Sequence, residues 1–167
     1  MSDALLAVQA AAVTALGAHP VLTAQLTGIY DGPPPRARFP YAAFGDALVS
    51  DWSVKDRPGR EIRLALTIWD DGESAARLHE LMGHGEDALA AIARDLDGWR
   101  VASNVFIRSL IARDDAFLAG DVDLAEQAAD RVRHGLAALF VHVEDRDLHA
   151  RTGERFYLDE ALRMGKA

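Results

Sequence analysis

Gly28-Ile29-Tyr30-Asp31-Gly32-Pro33-Pro34-Pro35, closing at Phe39-Pro40-Tyr41, separates two kinds of sequence. Four of the six prolines lie between Pro33 and Pro40. Proline fixes φ and lacks a backbone donor, so Pro33 to Pro35 fit neither mid-helix nor a central strand. Each residue before a proline is pushed to extended geometry. Asp31 to Pro40 is therefore expected to be a stiff, extended connector. A helical pattern precedes it and an alternating, strand-like pattern follows. The connector thus sets the first helix against a sheet, and its turn chemistry requires no catalytic group.

On the N-terminal side, Ser2 to Leu16 reads as an amphipathic helix capped by Ser2 or Asp3. Leu5, Leu6, Val8, Ala12, Val13 and Leu16 fall at helical spacing. Gly17, His19 and Pro20 end it. Val21 to Leu26 adds a short helical turn, and Thr27 to Tyr30 a short strand.

On the C-terminal side, Tyr41 to Ser50 is a strand interrupted at Gly45. Asp56-Arg57-Pro58-Gly59 is a turn signal. In Glu61 to Trp69, Ile62, Leu64, Leu66 and Ile68 share one face, and Glu61, Arg63, Ala65, Thr67 and Trp69 the other. The two strands are expected to form a long antiparallel hairpin whose tip, Trp52 to Arg60, projects from the body. Glu73 to Leu96 is the longest helical pattern, with Ser74 as cap. Ala75, Leu78, Leu81, Met82, Leu89, Ile92 and Leu96 face inward, and Gly83 and Gly85 predict a bend or break near His84. Trp99 to Ile111 and Arg133 to Glu144 are strands expected to pair with each other. Asp114 to Asp130, between them, holds six acidic residues and no basic one. Asp145 to Ala167 is a charged tail with a helical pattern over Tyr157 to Met164.

This order predicts an α+β fold: a mainly antiparallel sheet with a long β-hairpin and two main helices packed on one face. A single domain covers residues 1–144, with an acidic insertion at 113–132. A charged, partly helical extension covers 145–167. The uncovered sheet face carries Arg63, Thr67 and Trp69, an arginine–tryptophan surface of the kind partners use.

Composition narrows the function. The 167 residues suffice for one domain with a core. The absence of cysteine removes disulfides, thiol catalysis and cysteine-based zinc sites. No apolar run approaches the roughly 20 residues of a membrane span, and Met1 to Ala4 lacks the basic start of a secretory signal. A net charge of −8 disfavours binding to nucleic-acid phosphates. His79 and His84 stand at i, i+5, about 140° apart on a helix, and so do not converge on one metal. The run from His142 to His149 collects imidazoles and carboxylates, the basis for an alternative reading as a small metal-dependent hydrolase. A solvated charge run is its ordinary meaning. There is no Gly-x-Ser-x-Gly elbow and no phosphate-cradling loop. No cofactor is implied, and a generic α+β ligand-binding module is the remaining class.

Four stretches in order then carry a resemblance. They are Ile29-Tyr30-Asp31-Gly32-Pro33-Pro34, Phe39-Pro40-Tyr41-Ala42-Ala43-Phe44-Gly45, Asp51-Trp52-Ser53-Val54-Lys55 and Arg63-Leu64-Ala65-Leu66-Thr67-Ile68-Trp69. With Gly98-Trp99-Arg100-Val101 and the strand from Arg133 to Phe140, the set resembles the tail completion, or tail terminator, family of long-tailed phages. Prophages and gene transfer agents carry relatives. The resemblance spans Ala4 to Glu144. This chain departs from the family in its longer join, Arg113 to Val132, and in continuing to Ala167. The resemblance implies a non-enzymatic protein of the head-proximal end of the tail, assembled in the bacterial cytoplasm. It implies a ring, commonly a hexamer, that stops the tail tube and faces the head–tail connector protein. The implied partners are other copies of the chain, the tail tube protein and the connector. DNA would pass the acidic lumen without specific binding, and no membrane is involved. A head-side connector or stopper is the alternative within assembly. The expected interface residues are Asp51, Trp52, Lys55, Asp56, Arg57, Arg60, Arg63 and Trp69, on the hairpin and the open sheet face.

Overall fold

The structure is a computed structural model and describes residues 3–32, 34–113 and 133–146. Helix α1 spans Ala4–Ala18, and Asp3 caps it by accepting from Leu5 N at 2.8 Å. Pro20 stands at the first position of α2, Pro20–Gln25, where its missing N–H costs nothing. The strands are β1 Ile29–Asp31, β2 Tyr41–Phe44, β3 Leu48–Asp51, β4 Gly59–Asp70, β5 Trp99–Arg113 and β6 Arg133–Asp145. Helix α3, Ala76–Ala90, lies between β4 and β5 in sequence.

The strands form a six-stranded sheet in the order β1-β2-β4-β6-β5, with β3 also paired to β4. All pairings are antiparallel except β1 with β2. The α+β class and the mostly antiparallel sheet agree with the expectation from sequence. The β5–β6 pairing was expected as well. The central position of β6 was not: it pairs with β4 from Gly59↔Glu144 to Asp70↔Arg133. The pairing that centres the sheet thus joins partners from Asp70↔Arg133 to Gly59↔Glu144, far apart in sequence, which local pattern cannot reveal.

The interruption at Gly45 is a bulge. Phe44 lies opposite Leu66 but Leu48 opposite Arg63, so Gly45, Asp46 and Ala47 face only Leu64 and Ala65. The extra residue splits the strand beside β4 into β2, which also pairs with β1, and β3, which pairs with β4, and adds local twist. The proline connector is a crossover. It returns from the end of β1 so that β2 can lie parallel beside it, starting at Gly32 with φ +87°. Thr27 anchors the return: its N–H donates to Pro40 O at 2.8 Å and its hydroxyl to Arg38 O.

The core lies between the helices and one sheet face. Val8, Ala12 and Leu16 of α1 and Leu78, Leu81 and Leu89 of α3 pack on Ile62, Leu64, Leu66 and Ile68 of β4. Leu139, Val141 and Val143 of β6 complete it. Two expectations are corrected. Leu6 and Val13 are not core: they are 65% and 40% exposed, because the buried stripe runs through Ala4, Val8, Ala12 and Leu16. Helix α3 does not break near His84. It runs unbroken through Gly83 and Gly85, and Gly85 faces Ile68 and Leu66, whose methyls would lie 3.6 Å from an added Cβ. The glycine lets the helix lie close on the sheet. It is a packing device, not a stop.

The β4–α3 turn is held by charge. Asp70, 1% exposed, pairs with Arg77 of the first turn of α3, and Arg133 Nη1 donates to Gly72 O at 2.7 Å. The sequence suggested only a turn at Asp70-Asp71-Gly72. The hydrogen bond to Asp70 is the main reason the Arg77 guanidinium sits above its ordinary pKa, with burial pulling the other way. The acidic segment 114–132 and the tail from Asp147 lie outside the described residues.

Candidate functional site: the hairpin tip and the open sheet face

The face of the sheet turned away from the helices has two polar or aromatic ends. At one end, β3 and β4 close through the tip Trp52 to Pro58. Val54 and Arg57 exchange backbone bonds across it at 2.9 and 3.0 Å. Asp51 accepts from Arg60 Nη1 at 2.7 Å and from Ser53 Oγ at 2.7 Å. Lys55 and Asp56 stand exposed at the apex.

Trp52 does not project with them. Its ring lies 4.6 Å from the His142 ring on β6. It also covers Gly59 so closely that an added Cβ there would sit 2.8 Å from Trp52 O. The projecting tip expected from sequence is therefore folded back at its base, and only its apex is free. The cause is the same central β6 that local pattern did not reveal.

Beneath Trp52, Glu61, His142 and Ser103 stand in register on β4, β6 and β5. His142 Nδ1 is 2.7 Å from Ser103 Oγ, and His142 Nε2 is 3.2 Å from Glu61 Oε2. One tautomer satisfies both contacts: Ser103 O–H donates to Nδ1, and Nε2–H donates to the Glu61 carboxylate. The imidazole thereby ties three strands and the tip together, with both ring nitrogens already engaged. His142 was noticed in sequence only as part of a charge run. Ser103 and Glu61 gave no signal, because cross-strand register is invisible without the pairing. His149, the other imidazole of that run, lies outside the described residues. No group of three or more potential metal ligands forms among the described residues.

Arg63 comes next along the open face. Its guanidinium lies 4.6 Å over the Phe140 ring, its cross-strand partner, and Arg63 Nε is 3.5 Å from Glu61 Oε1. Trp69 is elsewhere. It stands nine residues beyond Arg60 on β4, about 30 Å away at strand rise. There it stacks on Tyr41 at 6.2 Å, and Phe39 and Tyr30 pack on the same Tyr41 at 5.5 and 5.9 Å. Of the eight expected interface residues, Asp51, Trp52, Lys55, Asp56, Arg57 and Arg60 thus share the tip. Arg63 adjoins it, and Trp69 belongs to a separate aromatic cluster under the proline connector.

The sheet's edges hold what sequence reasoning missed. β5 is an edge strand with register shifts at Val101/Ser103 and Phe106/Arg108. Val105, Phe106, Ile107 and Leu110 are 40–58% exposed on it. On the opposite side, Leu48 and Val49 of β3 and Val54 of the tip are likewise exposed. The signal was present as apolar residues on both faces of a strand pattern.

Comparison with known proteins matches this architecture. A family model described as tail completion protein gp17 matches residues 10–125. Among solved structures, a chain in the virion of a native gene transfer agent particle superposes with a TM-score of 0.69 at 26% identity. The match covers 86% of this chain and 99% of that one. No curated protein sequence matches the chain. The chain belongs to the tail completion protein gp17 family and is a structural protein of a phage-type virion tail, not an enzyme.

Proposed function

We propose that this chain forms a closed ring at the head-proximal end of the tail. The ring ends tube polymerisation and presents its other surface to the head–tail connector. The supporting observation is the unlikeness of the two exposed sheet edges. One edge offers Leu48, Val49 and the charged tip; the other offers the long apolar run of β5. An edge strand with unpaired backbone groups is a template for another strand. Two different, complementary patches on one subunit give head-to-tail contacts, and those close into a ring. The β5 edge of one subunit meets the β3 edge and tip of the next. Arg57, Arg60 and Lys55 at the tip then take part in the subunit contact, and the open face with Arg63 and Trp69 faces tube or connector. A chain of net charge −8 leaves a lumen that DNA traverses without adhering.

The test is the variant Val105→Lys/Leu110→Lys. Both side chains are solvent-exposed, so stability should change by no more than about 0.5 kcal/mol per site. Light scattering with purified tail tube protein should show the ring for the native chain and only monomer for the variant. A variant that assembles normally removes β5 from the interface and this reading with it.

A further inference from the structure

The two free edges of the sheet match each other residue by residue. Among the described residues β3 pairs only with β4 and β5 only with β6, so each keeps one open edge. Three antiparallel pairings lead from β3 through β4 and β6 to β5. The two edge strands therefore run in opposite directions within one subunit. In a ring of several copies the rotation between neighbours is too small to reverse a strand. The β5 edge of one copy then meets the β3 edge of the next antiparallel, with the open faces of the two sheets on the same side.

Two cross-strand rows on the open face end at these edges. In the first, Ser50 lies opposite Glu61, Glu61 opposite His142 and His142 opposite Ser103. In the second, Leu48 lies opposite Arg63, Arg63 opposite Phe140 and Phe140 opposite Val105. The first row ends in a hydroxyl at both edges. The second ends in an apolar side chain at both, with Leu48 54% and Val105 51% exposed. Between its two register shifts β5 is regular for four residues, Ser103 to Phe106, and β3 is four residues long. Past the second shift Arg108 returns to the open face opposite Ala138, and it is exposed. Asp46, just before β3, is exposed too.

We propose, on the ring reading above, that neighbouring copies join by strand addition in one register. Leu48 of one copy lies opposite Val105 of the next, Ser50 opposite Ser103, and Asp46 meets Arg108 across the bulge at Ile107. Each row continues into the same row of the next copy, polar onto polar and apolar onto apolar. A slip of one residue turns every β3 side chain to the other face. A slip of two sets Leu48 on Ser103 or on Arg108 and breaks both rows.

The native chain contains no cysteine, so an engineered pair reports cleanly. Within one subunit positions 48 and 105 lie three strand spacings apart, roughly 14 Å, too far for an intrachain bridge. Across the joint opposed residues lie about 4.5–5.5 Å apart, within disulfide range. Leu48→Cys/Val105→Cys, oxidised with purified tail tube protein present, should give a ladder of covalent oligomers ending at the closed ring. Non-reducing electrophoresis and intact mass read it. Leu48→Cys/Leu110→Cys, about 17 Å further along β5, should stay unbridged. Separately, Asp46→Arg and Arg108→Asp should each raise the concentration for half-assembly about tenfold or more, and the two combined should restore it. A ring in light scattering without the Leu48–Val105 bridge, or charge reversals that do not rescue each other, overturns the register and leaves the ring standing. Covalent dimers alone, or no ring at all, overturn both.

Discussion

At the scale of the residue, the Asp70–Arg77 pair shows how a turn is fixed. Asp70 is 1% exposed and sits where β4 must end and α3 begin. Arg77→Ala leaves that carboxylate buried without its cation. Arg77 is 43% exposed, so solvent screening keeps the loss below that of a fully buried pair. The expected loss is about 2 kcal/mol, read by urea denaturation. Asp70→Asn combined with Arg77→Ala should lose less than the sum of the singles, since the double variant leaves no buried charge unpaired. At the tip the prediction is the opposite. Lys55→Glu, on an exposed apex side chain, should leave stability within about 0.5 kcal/mol and yet impair assembly with tube protein. Trp52, folded onto His142, is the residue whose loss should cost stability there. The sequence could place both in a turn, but only the partner strand decides which one faces solvent.

Among the elements, α3 carries the sharpest contrast between pattern and structure. Its inward residues were legible because Leu78, Leu81, Met82 and Leu89 repeat at helical spacing and all bury. The two glycines were misread because their role depends on a neighbour, not on the helix. Gly85 faces β4 at van der Waals distance, and an added Cβ at Gly83 would meet nothing within 4 Å. Gly83→Ala should therefore stabilise the protein by about 1 kcal/mol through helix propensity. A drop in thermal midpoint would show instead that a flexible joint is needed there. The strands divide in the same way. β4 was legible from strict alternation, as were the break at Gly45 and the partnership of β5 with β6. The insertion of β6 beside β4 was not, because nothing local encodes which of two similar strand faces is central. That one long-range pairing also hid the Glu61–His142–Ser103 contact and the true pose of Trp52. On α1, spacing grouped Leu6 and Val13 with Val8, Ala12 and Leu16, and only the packing shows which of them are buried.

For the whole molecule, the layout explains why a protein without catalytic machinery keeps so many exposed apolar side chains. The helices close one sheet face, the proline crossover closes one end, and the two edges stay open with unlike chemistry. A monomer in isolation would carry β5 as an aggregation hazard, moderated by its two register shifts. A closed ring removes both edges at once. The candidate interface was legible in the sequence on the tip side, through Asp51 to Arg60. On the β5 side nothing marked one, because the segment holding the exposed Val105, Phe106 and Leu110 read only as a strand paired with Arg133 to Glu144. The most direct test is a three-dimensional reconstruction of the particle that carries this chain. It should show one ring of the chain at the head-proximal end of the tail tube, with β5 of each subunit against the hairpin of the next. Density for the chain on the head side of the connector, its absence from the particle, or subunits that meet through a two-fold axis would contradict the account.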